Sequence, residues 1–175
     1  MQAAVPGVLL VAHGSARSGA SAEPVLALAR DLRRRGFEEV RCAFWKEEPF
    51  LHQALRMVAG EAVAVLPVFL AEGWFSRTVV PRELGLRPGA NRLPDGRAAL
   101  LLPPLGTAPE LADVVVARAR EAVPDATDLA GALVVVAGHG TPRDPGSAGT
   151  VLHLCRRLAG SAPFGRTLPA FLDEE

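Results

Sequence analysis

Short apolar runs closed by turn residues alternate along this chain with longer stretches in which apolar residues recur at helical spacing. The first run, Gly7-Val8-Leu9-Leu10-Val11-Ala12, stops abruptly at His13-Gly14-Ser15. A run of this kind predicts a buried strand, with the glycine turning the chain just beyond it and His13 at the strand's carboxyl end. Residues 39–45, 62–70 and 98–102 predict three more strands, and Pro67 is expected to bend the third or cost it pairing. Residues 22–35 place Val25, Leu26, Leu28, Ala29 and Leu32 on one helical face, crowd Arg33-Arg34-Arg35 into the last turn and stop at Gly36. Further helices are predicted over 49–58, 79–84 and 109–122, while Trp74-Phe75-Ser76-Arg77 and residues 87–97 read as loops. This alternation predicts an α/β fold with a parallel four-stranded sheet in the order 2-1-3-4 and helices on both faces.

The opening stretch occurs twice. Leu133-Val134-Val135-Val136-Ala137-Gly138-His139-Gly140-Thr141 repeats it, with His139 on His13, Gly140 on Gly14, Thr141 on Ser15 and Arg143 on Arg17. The match runs on through Val151-Leu152 on Val25-Leu26 and, after a one-residue shift, Ala170-Phe171-Leu172 on Ala43-Phe44-Trp45. Self-similarity over roughly forty residues implies two copies of one α/β unit. Residues 1–123 are therefore read as a first unit, 124–131 as a linker and 132–175 as an incomplete second unit with a strand, a helix over 148–158 and a strand over 166–172. Counterparts of the third and fourth strands do not follow. The expectation is a fragment of a longer two-unit chain, or a partial unit that packs onto something else, a second copy included.

Composition narrows the function classes. Nearly half of the 175 residues are apolar and the formal net charge is zero, which fits a globular protein and argues against a dominant nucleic-acid surface. No run of about 18 consecutive apolar residues offers a membrane span. With no signal-type leader at the N-terminus, a cytoplasmic protein is expected. Cys42 and Cys155 lack partners at metal-ligand spacing and read as buried small hydrophobes, and His52 reads as a surface or packing residue.

In an open α/β sheet, ligands bind outside the carboxyl ends of the strands. That places His13 and His139 where chemistry is found, although a histidine that only bonds its own turn fits the same position. Trp74 and Phe75 follow a strand end and either pack or wall a pocket.

These residues resemble the class II chelatases, in particular the sirohydrochlorin chelatases of the CbiX type. The resemblance rests on Leu10-Val11-Ala12-His13-Gly14-Ser15, on Leu66-Pro67-Val68-Phe69-Leu70 with Gly73 and Pro81-Arg82-Glu83-Leu84, and on Pro104-Leu105-Gly106. It covers about the first 120 residues as one unit and the rest as a broken second. It implies insertion of a divalent metal, Co2+ or Fe2+, into a sirohydrochlorin-type tetrapyrrole held in a cleft between two such units, in cobalamin or siroheme biosynthesis. His13 would be metal ligand and base, with His139 as its counterpart; Gly14, Ser15, Gly73, Trp74 and Phe75 would line the substrate. Arg17, Arg77 and Arg143 would meet its carboxylates, since a guanidinium binds a carboxylate through two parallel hydrogen bonds. One departure stands out. The resemblance calls for a second metal-ligating histidine two residues after the loop glycine and an acid three residues later, and this chain has Phe75 and Thr78 there.

Two rivals follow. Phe75 favours a module of the same fold that binds a tetrapyrrole or metal without inserting it, and fold does not decide between the two. Phosphoryl transfer through a nucleophilic histidine is weaker, because no arginine directly precedes His13 and no phosphate loop of the usual spacing is present.

Overall fold

The structure is a computed structural model that describes residues 6–123, 129–140, 145–161 and 163–172. The chain divides into two compact units. The first comprises the residues through Phe69 together with Phe75–Leu105, and the second comprises Leu70–Trp74 and the residues from Gly106 onward.

In the first unit, β1 (Gly7–Ala12) is buried at all six positions, as an unbroken apolar run requires. It pairs in parallel with β2 (Val40–Phe44) on one side and β3 (Ala62–Pro67) on the other. Next to β3 lies β5 (Ala98–Leu101), also parallel, so the expected 2-1-3-4 order is present as β2-β1-β3-β5. A fifth strand extends it. β4 (Gly89–Arg92) pairs antiparallel with β5 within the stretch read from sequence as a loop, joined to it by a tight turn in which Leu93 N–H donates to the Arg97 carbonyl at 2.9 Å. β3 ends at Pro67, which is still paired with Val11, so the strand keeps its pairing as far as the proline.

Two apolar layers sandwich this sheet. Leu9, Val11 and Ala43 face Leu51, Ala54, Val58, Val80 and Leu84, while Val8, Leu10 and Ala12 face Val25 and Ala29 on α1 (Glu23–Arg34). The predicted helix over 49–58 is a tighter 3-10 helix, Leu51–Met57. The Trp74-Phe75-Ser76-Arg77 loop is also helical: a wide π turn, Phe75–Val79, runs straight into α2 (Val80–Leu84). Pro81 explains the widening, since it has no N–H to return to the carbonyl four residues back and its ring crowds that carbonyl.

In the second unit, α3 (Leu111–Ala122), β6 (Leu133–Gly138), α4 (Pro145–Ser161) and β7 (Arg166–Phe171) form a two-stranded parallel sheet with helices. The register repeats that of the first unit. Ala12 pairs with Phe44 and Gly138 with Phe171; Val11 pairs with Ala43 and Ala137 with Ala170. Cys42 and Cys155 are both buried and free, and burial pushes each thiol up, as small hydrophobes would show. Among the described residues, no helix is long and apolar enough to cross a membrane.

Candidate functional site

The sheet order reverses direction at β1, since β2 lies on one side of it and β3 on the other. Such a switch point opens a crevice beyond the strands' carboxyl ends. His13 leaves β1 there and is exposed. Its backbone is clasped from β2's exit, with Lys46 N–H donating to the His13 carbonyl at 2.9 Å and Trp45 N–H to the Ala12 carbonyl at 3.1 Å.

Gly14 makes the turn. Its φ of 66° is a left-handed conformation, and a Cβ there would meet Glu47 Oε1 at 2.8 Å and Phe44 Cβ at 2.9 Å. Only glycine lets the turn sit so close. The Glu47 carboxylate then accepts the Ser15 N–H at 2.9 Å, and the Ser15 hydroxyl accepts the Arg17 N–H at 3.2 Å. Ser15 thus shapes the turn, while the Arg17 side chain is exposed.

Among the described residues, the imidazole's polar partner is the Gly14 carbonyl, 2.8 Å from Nδ1. A carbonyl oxygen only accepts, so in the neutral ring Nδ1 carries the proton and Nε2 holds the lone pair. Two aromatic rings meet it. His13 lies 4.6 Å from Phe75 and 5.3 Å from Trp45 between ring centroids, both edge to face, and Trp45 and Phe75 touch edge to face at 4.9 Å. Phe69 backs Phe75 at 6.2 Å, and Phe69 and Trp45 pack against the core, so the cluster is rooted in the fold. Lys46 Nζ stands 4.0 Å from the centroid of the Trp45 ring, a cation–π contact.

Of the residues singled out from sequence, His13, Gly14, Ser15 and Phe75 come together here, and Arg77 is exposed on the π turn that Phe75 opens. Gly73 and the exposed Trp74 belong to the second unit, where Gly73 approaches Ser147. His139 is exposed at the end of β6. Gly140 repeats the turn, with φ 54° and the Phe171 ring 2.6 Å from where a Cβ would stand. Arg143 lies outside the described residues. Trp45 and Glu47 were missed: Trp45 reads only as the end of a strand, Glu47 lies in the link to the next helix, and neither has a motif of its own. His52 is exposed and stacks on Phe50, in line with a packing role. Among the described residues, no group of three or more His, Cys, Asp or Glu is placed to hold a metal ion.

A protein-family model, CbiX, matches residues 7–122. A probable sirohydrochlorin cobaltochelatase from Halobacterium salinarum is 34% identical over 190 residues, covering 96% of this chain and 63% of its own length. The chain therefore spans less than two thirds of that relative. A multi-domain protein from Deinococcus radiodurans, described as structurally similar to chelatases with two additional novel domains, superposes with a TM-score of 0.86 at 33% identity over 99% of this chain and 39% of that one. The structure of CbiX, the terminal enzyme for siroheme biosynthesis in denitrifying bacteria, superposes with a TM-score of 0.69 at 27% identity over 96% of this chain and 70% of that one.

Proposed function

The chain belongs to the CbiX family, and from that premise we propose that it serves the insertion of a divalent metal, Co2+ or Fe2+, into a sirohydrochlorin-type tetrapyrrole, with His13 as the reacting side chain. The observation that carries this reading is the state of the His13 ring. Its Nδ1–H is tied to a backbone carbonyl at the β1 edge, which leaves Nε2 as a lone-pair donor in an exposed position.

The chemistry fits such a group. Insertion exchanges the two pyrrole protons of the macrocycle for one M2+, so it needs proton acceptors and weak, displaceable metal donors. A neutral imidazole nitrogen serves as either. His139 ends β6 in an equivalent turn and is the second candidate. Gly14, Ser15, Gly73, Trp74 and Phe75 are proposed to line the macrocycle. Arg17 and Arg77 are proposed to meet its carboxylates, as is Arg143 by its match to Arg17. Cobalt is favoured by the name of the Halobacterium relative and iron by the siroheme role of CbiX.

The test is addition of Co2+ or Fe2+ to the protein with sirohydrochlorin, followed by the change in tetrapyrrole absorbance and by proton release. Metal- and protein-dependent release of two protons per macrocycle supports insertion. A second reading, a module that binds tetrapyrrole or metal without inserting it, is favoured by the hydrocarbon ring of Phe75 lying 4.6 Å from His13. It predicts a bound macrocycle whose protons stay in place when metal is added.

A further inference from the structure

We infer that Trp45 and Phe75 are positioning residues for His13, holding its imidazole in the one tautomer and orientation that presents Nε2; this rests on His13 as the reacting group proposed above. The imidazole is exposed, and an exposed histidine ordinarily samples several rotamers and both neutral tautomers. Here two independent constraints act on it. The hydrogen bond from Nδ1–H to the Gly14 carbonyl at 2.8 Å favours one tautomer, but it joins adjacent residues and is open to water. Only if the ring is kept from swinging away does that bond persist. Trp45 and Phe75 supply this restraint by contacting the imidazole at 5.3 Å and 4.6 Å, with interplanar angles of 61° and 67°, while also touching each other.

The restraint is built from core packing. Trp45 follows β2 with its backbone N–H bonded to the Ala12 carbonyl, and its ring packs on the core layer of Leu9 and Val11. Phe75 opens the π turn, stacked on Phe69 at 6.2 Å with a 22° tilt. Neither ring offers a metal donor or a proton acceptor, so both act through His13. Phe75, at the position where the resemblance calls for a second histidine, places a hydrocarbon ring against His13 instead of another imidazole.

The test compares Trp45→Leu, Trp45→Phe and Phe75→Leu with wild type. Ring 15N shifts of His13, assigned by their loss in His13→Ala and measured in alkaline buffer where histidine rings are neutral, report the tautomer without reference to activity. Wild type is expected to show a protonated Nδ1 and an unprotonated Nε2. The two leucine variants are expected to average towards a mixture, with kcat for metal insertion reduced about tenfold and KM changed less than about twofold, as a misplaced reacting group costs turnover more than binding. Trp45→Phe, which keeps a ring, is expected to recover most of both losses. Thermal unfolding identifies folded variants, and if Phe75→Leu does not fold, the two Trp45 variants carry the comparison. Leucine variants that keep the single Nδ1–H tautomer, or a Trp45→Phe protein no better than Trp45→Leu, would overturn the proposal. A wild type that inserts no metal while the tautomers shift as expected supports the positioning role and removes the reaction assigned to His13.

Discussion

β1 and β6 run into the same His-Gly turn in the same register against their parallel neighbours, yet their surroundings differ. β1 is buried on both faces, whereas β6 alternates exposed and half-buried positions, with Leu133 and Val135 more than half exposed. Trp45, which braces His13, is matched in the second copy by Leu172, which is 75% exposed. Arg33, whose guanidinium bonds the Val40 carbonyl in the first copy, is matched by Ala159, and a groove lined by Leu152, Cys155, Arg156 and Thr167 opens there. Strand and turn are thus local properties that the repeat preserves. The fixed imidazole depends on what packs around the turn, and only the first copy has that packing among the described residues.

The largest expected effect separates the two strands. Leu9→Ala removes a fully buried side chain from the core and is expected to cost about 3 kcal/mol. Val135→Ala, at the matching position of β6 and 54% exposed, is expected to stay within about 0.5 kcal/mol. Urea unfolding of the two proteins checks this, and equal losses would mean that the β6 face is as well covered as that of β1.

Next comes what the copies share. Gly14→Ala forces a Cβ into a left-handed turn against Glu47 and Phe44, and Gly140→Ala does so against Phe171. Each is expected to destabilise by about 2 kcal/mol, by the cost of the backbone strain and the overpacking. Comparing the two melting curves shows whether the turns are equally demanding.

The smallest effect is a pH dependence confined to the first copy. The Ala59 N–H, followed by the Gly60 N–H and the charges of Arg41 and Arg97, holds the Glu39 carboxyl below its ordinary value. Its counterpart in the second copy is Arg166. A carboxyl lowered on folding stabilises the fold fully above its unfolded value, near 4.5, and loses that contribution as pH falls through the lower folded value. Glu39→Gln is therefore expected to be less stable than wild type at neutral pH, with the gap closing on acidification. A gap constant from pH 7 to pH 3 would contradict the assignment.

The sheet order was legible because β1, β3 and β5 are apolar runs of the kind that buried parallel strands require, and β2 is interrupted only by Arg41. β4 was not, because Gly89-Ala90-Asn91-Arg92 carries loop residues and becomes a strand only by pairing with β5. The turn at His13 was legible from its glycine and its repeat. The ring cluster was not, since Trp45 and Phe75 are distant in sequence and meet His13 only once β2 and β3 flank β1. Glu47 escaped for the same reason: its role depends on Gly14 leaving room for its carboxylate. The wide turn before Pro81 reads as a loop because Trp74-Phe75-Ser76-Arg77 is too short to show a helical apolar stripe.

The central claim is that the first copy holds the reacting imidazole. It is tested most directly by the rate of the tetrapyrrole absorbance change on Co2+ addition in His13→Ala and His139→Ala, each verified as folded by thermal unfolding. His13→Ala is expected to lose at least about a hundredfold in rate, the size of a general-base contribution, and His139→Ala no more than about fivefold. A folded His13→Ala protein that inserts metal at the wild-type rate, or an equal loss in His139→Ala, would contradict the account.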